Sequence, residues 1–154
     1  MPVHPISTTA LDAIANTHGP AKPIFMLNLW KFKPSATYPP GFTHSGPCSG
    51  KEATERYQSA IYTVLPPNAS IQFAGNVQGF VAAPRDSEGG PVEAEKWDWV
   101  AVVRYENFEG FRTMVESEKY KREVEPHRVA GLEEWRLIAM DGVGGVGVEV
   151  TSEE

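Results

Sequence analysis

A chain of 154 residues with 41% hydrophobic content is sized for one domain that buries roughly two-thirds of its unfolded surface without a disulfide or a metal staple. Fourteen Lys and Arg against twenty Asp and Glu give a net charge of -6 with no basic cluster, which speaks against nucleic acid and anionic membrane as partners. No stretch approaches the roughly 18 apolar residues of a membrane span, and residues 1–17 lack the basic start and apolar core of a signal peptide, so a cytoplasmic protein is expected.

Residues 7–16 place Leu11, Ile14 and Ala15 at helical spacing and stop at Gly19-Pro20, which predicts a short helix within an N-terminal extension spanning 1–22. The apolar run 24–32, framed by Pro23 and Pro34, reads as a first strand with bulky residues on both faces. Residues 33–48 are rich in Pro, Gly, Ser and Thr. They form a long loop, either a binding segment or an insertion without function. Ser49 and Glu52 have the spacing of a capping box, opening a helix to about residue 65 that Pro66-Pro67 ends.

Residues 71–81 alternate apolar Ile71, Phe73 and Val77 with polar Gln72, Asn76 and Gln78, a second strand in which Gly75 and Gly79 suggest a bulge. A polar loop, 85–96, leads to a third strand at 97–105, dense in valine and aromatic residues. Asn107 caps a helix striped by Phe111, Met114 and Val115. Pro126 and Gly131 bracket a further turn before a fourth strand at 134–140. Residues 141–154 read as a flexible tail, and the literal G-x-G-x-x-G at 142–147 has only seven residues after it, too few for the helix and the ribose-binding acid that a dinucleotide site needs.

The order β-α-β-β-α-β predicts an α+β, ferredoxin-like domain over 23–140, with both helices on one face of an antiparallel sheet. A bulky open face then implies a homodimer in which two sheets meet. The four histidines are scattered, so no metal and no other cofactor is expected. Cys48 reads as a loop thiol.

Polar residues inside apolar strands are the remaining signals. Asn28, Asp98 and Arg104 each need a partner if buried, either a ligand or an internal pairing such as Asp98 with Arg104 or Arg136. Trp30, Trp97, Trp99 and Trp135 form an aromatic pocket or plain core. His127, in Glu125-Pro126-His127-Arg128, is either a base near neutral pH or a surface histidine ahead of a structural arginine.

Residues 26–32 (Met-Leu-Asn-Leu-Trp-Lys-Phe), Ser117-Glu118-Lys119-Tyr120 and Arg128 resemble the dimeric α+β barrel proteins of the family numbered 1330 among domains of unknown function. Its superfamily includes EthD-like proteins, antibiotic-biosynthesis monooxygenases, chlorite dismutase-like haem proteins and polyketide cyclases. The resemblance implies a dimeric α/β barrel with a small-molecule pocket between helices and sheet, and draws attention to Asn28, Trp30, Ser117, Tyr120 and Arg128. The N-terminal segment and the two long loops depart from the compact family pattern.

Together these features lead to the expectation of a cofactor-independent enzyme, a cyclase, isomerase, dehydratase or lyase, acting on a hydrophobic, aromatic or polyketide-like metabolite. In that expectation His127 is the general acid or base and Arg128 fixes an oxyanion or carboxylate. The substrate is held by Asn28, Trp30, Tyr57, Gln78, Asp98, Arg104 and Tyr120. A non-catalytic ligand-binding or stress-related protein and a monooxygenase of the same superfamily are the alternatives.

Overall fold

The computed structural model describes residues 4–143. Four strands, β1 (Ile24–Phe32), β2 (Ser70–Asn76), β3 (Trp99–Tyr105) and β4 (Leu132–Met140), form one antiparallel sheet in the order β2-β3-β1-β4. This is the ferredoxin-like order expected from the sequence. The helices α1 (Thr8–Thr17), α2 (Gly50–Ile61) and α3 (Phe108–Glu116) contribute to the core on the face of β1 that carries Ile24, Met26 and Trp30, and α4 (Glu125–Gly131) packs against α2.

Local chemistry sets the helix ends. Ser7, Ser49 and Asn107 each accept a backbone N–H three residues ahead with the side-chain oxygen, capping α1, α2 and α3. Ser117 ends α3 by turning extended, and its hydroxyl donates to the Met114 carbonyl at 2.7 Å while accepting from Tyr120 N at 3.1 Å. One turn of π-helix, Tyr120–Val124, follows and runs into α4, whose first turn holds Pro126. Periodicity alone does not reveal that turn.

Several details differ from the expectation: β3 begins at Trp99 rather than Trp97, and β4 at Leu132 rather than Glu134. β2 stops at Asn76 rather than Val81, because past it only Val77 N still bonds across, to the Asp98 carbonyl at 2.9 Å. The register shift in β2 falls between Ile71 and Phe73, at Gln72 and not at a glycine. α2 ends at Ile61, where Thr63 and Val64 close 3-residue turns on Ala60 and Ile61.

The 33–48 loop is tied to the body by backbone hydrogen bonds from Lys33 N to Gly131 O, Ala36 N to Cys48 O and Thr37 N to Ala130 O, all within 2.9 Å. The chain can pass there because two glycines meet. A β-carbon on Gly131 would lie 2.6 Å from the Gly50 carbonyl oxygen, and one on Gly50 would strike the Lys33 backbone.

Register explains the two sheet faces. On the open face Phe73, Val102, Leu27 and Ile138 lie side by side across all four strands, an unbroken apolar row flanked by Arg104 on β3 and Arg136 on β4. Phe73 is 62% exposed and Ile138 44%. On the helix face Trp99, Trp30 and Trp135 share one row, with Ala101, Asn28 and Leu137 in the next. Among the described residues no helix is long and apolar enough to cross a membrane. The glycine motif at 142–147 and the expected tail lie mostly outside the described residues.

Candidate functional site

The tryptophan row forms the floor of a chamber between the sheet and the helices. Trp30 stacks on Trp99 with ring centres 4.2 Å apart and meets the Tyr57 ring edge-on at 5.7 Å. Tyr57, from the third turn of α2, and Tyr120, which opens the π-turn, bring their hydroxyl oxygens to 3.0 Å. Asn28, Gln58 and the apolar stripe of α3 complete the walls. The Asn28 amide donates to the Met26 carbonyl at 3.3 Å. The Trp30 indole N–H is buried with no hydrogen-bond partner.

Burial pushes the Tyr57 hydroxyl well above the usual tyrosine range, with Tyr120 adding to the rise and Arg128 opposing it. Burial likewise pushes Tyr105, another wall of the chamber, upward. These phenols therefore stay protonated and able to donate across the physiological range. Arg128 meets the site through Trp135. Its guanidinium, 1% exposed, lies 3.8 Å over the Trp135 ring, gives Nη2 to Glu125 at 3.2 Å and buries Nε without a partner.

Of the residues expected at the site, Asn28, Trp30, Tyr57 and Tyr120 converge here, with Arg128 behind Trp135. His127 does not reach this chamber. It lines a separate, shallow outer cleft with Arg56, Glu52 and Glu55, and its Nδ1 accepts from the Tyr38 hydroxyl at 2.7 Å. Tyr38 in turn accepts from Arg56 at 3.3 Å and stacks on His44 at 4.1 Å. Burial lowers the affinity of His127 for a proton, and the Arg56 and His44 charges lower it further.

The other expected contacts lie elsewhere. Gln78 is exposed beyond the end of β2, its side chain donating to the Asn76 carbonyl at 3.3 Å. Asp98 pairs with neither Arg104 nor Arg136. It sits at the outer end of β3 and accepts the Phe32 N–H at 2.7 Å, while Arg104 is six residues further along on the open face and Arg136 binds Glu134 at 3.4 Å. Trp97 likewise stays out of the chamber, beneath Arg136. The cluster of Tyr38, His44 and Arg56 was not foreseen, because the loop that brings two of them has no periodicity to place it. Among the described residues no three His, Cys, Asp or Glu side chains gather where a metal ion could sit.

No protein-family model matches the chain, and no curated protein matches it. Solved structures do. A crystal structure of the methylated RPA0582 protein superposes with a TM-score of 0.73 at 26% identity, covering 95% of this chain and 99% of that one. A second structure of RPA0582, a protein of unknown function from Rhodopseudomonas palustris, gives a TM-score of 0.71 at 26% identity, with 91% and 97% covered. The chain thus shares its α+β fold with RPA0582, a protein of unknown function.

Proposed function

We propose that the chain is a cofactor-independent enzyme of small-molecule metabolism, acting on a hydrophobic, carbonyl- or phenol-bearing compound in the chamber at Tyr57. The observation that carries this reading is the pair of buried hydroxyls 3.0 Å apart in a largely apolar, aromatic cavity. Within such a pair one hydroxyl donates to the other, leaving one O–H free to point at a ligand. The Trp30 N–H, buried without a partner, is a further neutral donor on the chamber floor, and such donors lower barriers to enolisation, dehydration, cyclisation and lyase cleavage where they meet a developing oxyanion. In this reading Tyr57 and Tyr120 supply the acid side and Asn28 orients the substrate. His127, expected as the base, has no part in the chamber.

The dimeric-barrel resemblance and the apolar row on the open face support a homodimer, with one chamber in each subunit. Resemblance to the family numbered 1330 supports the same placement of ligand between helices and sheet.

A second reading, a non-catalytic ligand-binding protein, is favoured by one feature: among the described residues no His, Cys, Lys, Arg, Asp or Glu side chain lines the chamber. Incubating the purified chain with a metabolite extract and following masses separates the two. A compound consumed by the native chain and left untouched by Tyr57→Phe supports catalysis. Compounds retained by both and converted by neither would favour binding alone.

A further inference from the structure

The chamber at the tyrosine pair has a volume of about 70 Å³, far short of the roughly 300–1,000 Å³ of sites that enclose a small organic ligand. A second cavity of about 450 Å³ lies beside it, between the N-terminal segment with α1 and the β4 side of the sheet. Met26, Phe111, Trp135 and Leu137 are walls of both. We infer that the two are halves of one binding site for a two-part ligand: a small oxygen-bearing head at Tyr57 and Tyr120, and an apolar tail running past Met26 into the α1 cleft. This rests on the tyrosine chamber being a ligand site.

The shared wall is of the right kind. Trp135 is fixed, its indole N–H donating to the His4 carbonyl at 2.7 Å and its ring stacked under Arg128. Met26 is not fixed in that way. Its unbranched thioether chain, 2% exposed between the two spaces, can change rotamer and open the passage without moving backbone.

The outer half is suited to a tail. Ile6, Leu11 and Ile14 from the N-terminal segment face it, and the small Ala10 and Ala139 leave the space unfilled. At its rim Glu134 pairs with Arg136 at 3.4 Å and takes a hydrogen bond from the His4 ring at 3.2 Å, so the tail need carry no charge of its own. α1 stays in place through buried Leu11 and the 2.7 Å ion pair of Asp12 with Arg112. The N-terminal extension is thereby half of the binding site rather than an appendage.

The test is the affinity of the full chain for a series of methyl ketones, from butan-2-one to undecan-2-one, by calorimetry and ligand-observed NMR. Affinity should rise about fourfold per added methylene, the gain from moving one such group out of water. Ala10→Trp, on α1, and independently Ala139→Trp, on β4, should flatten that rise, with native near-UV circular dichroism showing that each variant is folded. A rise that persists unchanged in both variants would place the tail elsewhere and overturn the inference. Butan-2-one binding with no gain from longer chains would overturn it too, but leave the tyrosine chamber standing. Failure of every ketone to bind would remove both.

Discussion

Tyr57 and Tyr120, both buried, share one hydrogen bond, their oxygens 3.0 Å apart and 63 positions apart in the chain. Each hydroxyl is the other's partner, so removing one strands the other. Tyr57→Phe and Tyr120→Phe should each cost about 1–3 kcal/mol, the penalty of an unpaired buried hydroxyl. The double variant should cost less than the sum of the two, since it leaves nothing stranded. Urea unfolding of the four species measures this, and strict additivity would mean that the hydroxyls do not depend on each other.

The meeting of Gly50 and Gly131 fixes where the long loop leaves the sheet. A methyl on Gly131 would come within 2.6 Å of the Gly50 carbonyl oxygen and 3.0 Å of Ala53 and Thr54. Gly131→Ala should therefore destabilise by about 1–3 kcal/mol, as overpacking of a filled interior does. Gly79 has nothing within 4 Å of the same position. Gly79→Ala should change the unfolding midpoint little, so the contrast tests close packing against a general intolerance of alanine.

Three of the four strands were legible because each carried its own marker: the framed apolar run of β1, the valines and aromatics of β3, and the Pro126 to Gly131 interval ahead of β4. The capping residues Ser49 and Asn107 likewise act as their spacing predicts. What could not be read was registration between distant segments. Nothing in the chain says that Trp30 will align with Trp99 and Trp135, or that His127 will turn toward Tyr38 instead of Tyr57. The candidate site was thus half legible. Residues on strands and regular helices, Asn28, Trp30 and Tyr57, share one chamber, while His127 lies apart from them because its partner Tyr38 sits on an aperiodic loop.

His127 has a lowered proton affinity, so its pH effect has a definite sign. In the folded chain it stays neutral below its ordinary value near 6.5, while in the unfolded chain it takes up a proton there. The unfolded state binds more protons in that window, so this contribution is full above about pH 6.5 and is lost as pH falls below it. Melting temperature should drop between pH 6.5 and 5, and His127→Gln, which keeps an acceptor for the Tyr38 hydroxyl, should make that drop shallower. An unchanged slope in the variant would assign the pH response to other groups.

The apolar row of Phe73, Val102, Leu27 and Ile138 makes the dimer testable without disturbing the chamber, because these residues lie on the opposite face of the sheet. If two sheets meet there, an aspartate at an outer position of the row is buried against the partner without a counter-charge, at a cost of several kcal/mol. In a monomer the same change at exposed Phe73 or Ile138 meets only water and costs little. Light scattering over a concentration series should give the mass of two chains for the native protein. Phe73→Asp combined with Ile138→Asp should give the mass of one, with ketone binding retained. A native protein of single-chain mass at every concentration would rule out sheet pairing, and would leave the 62% exposure of Phe73 as the property of a free surface.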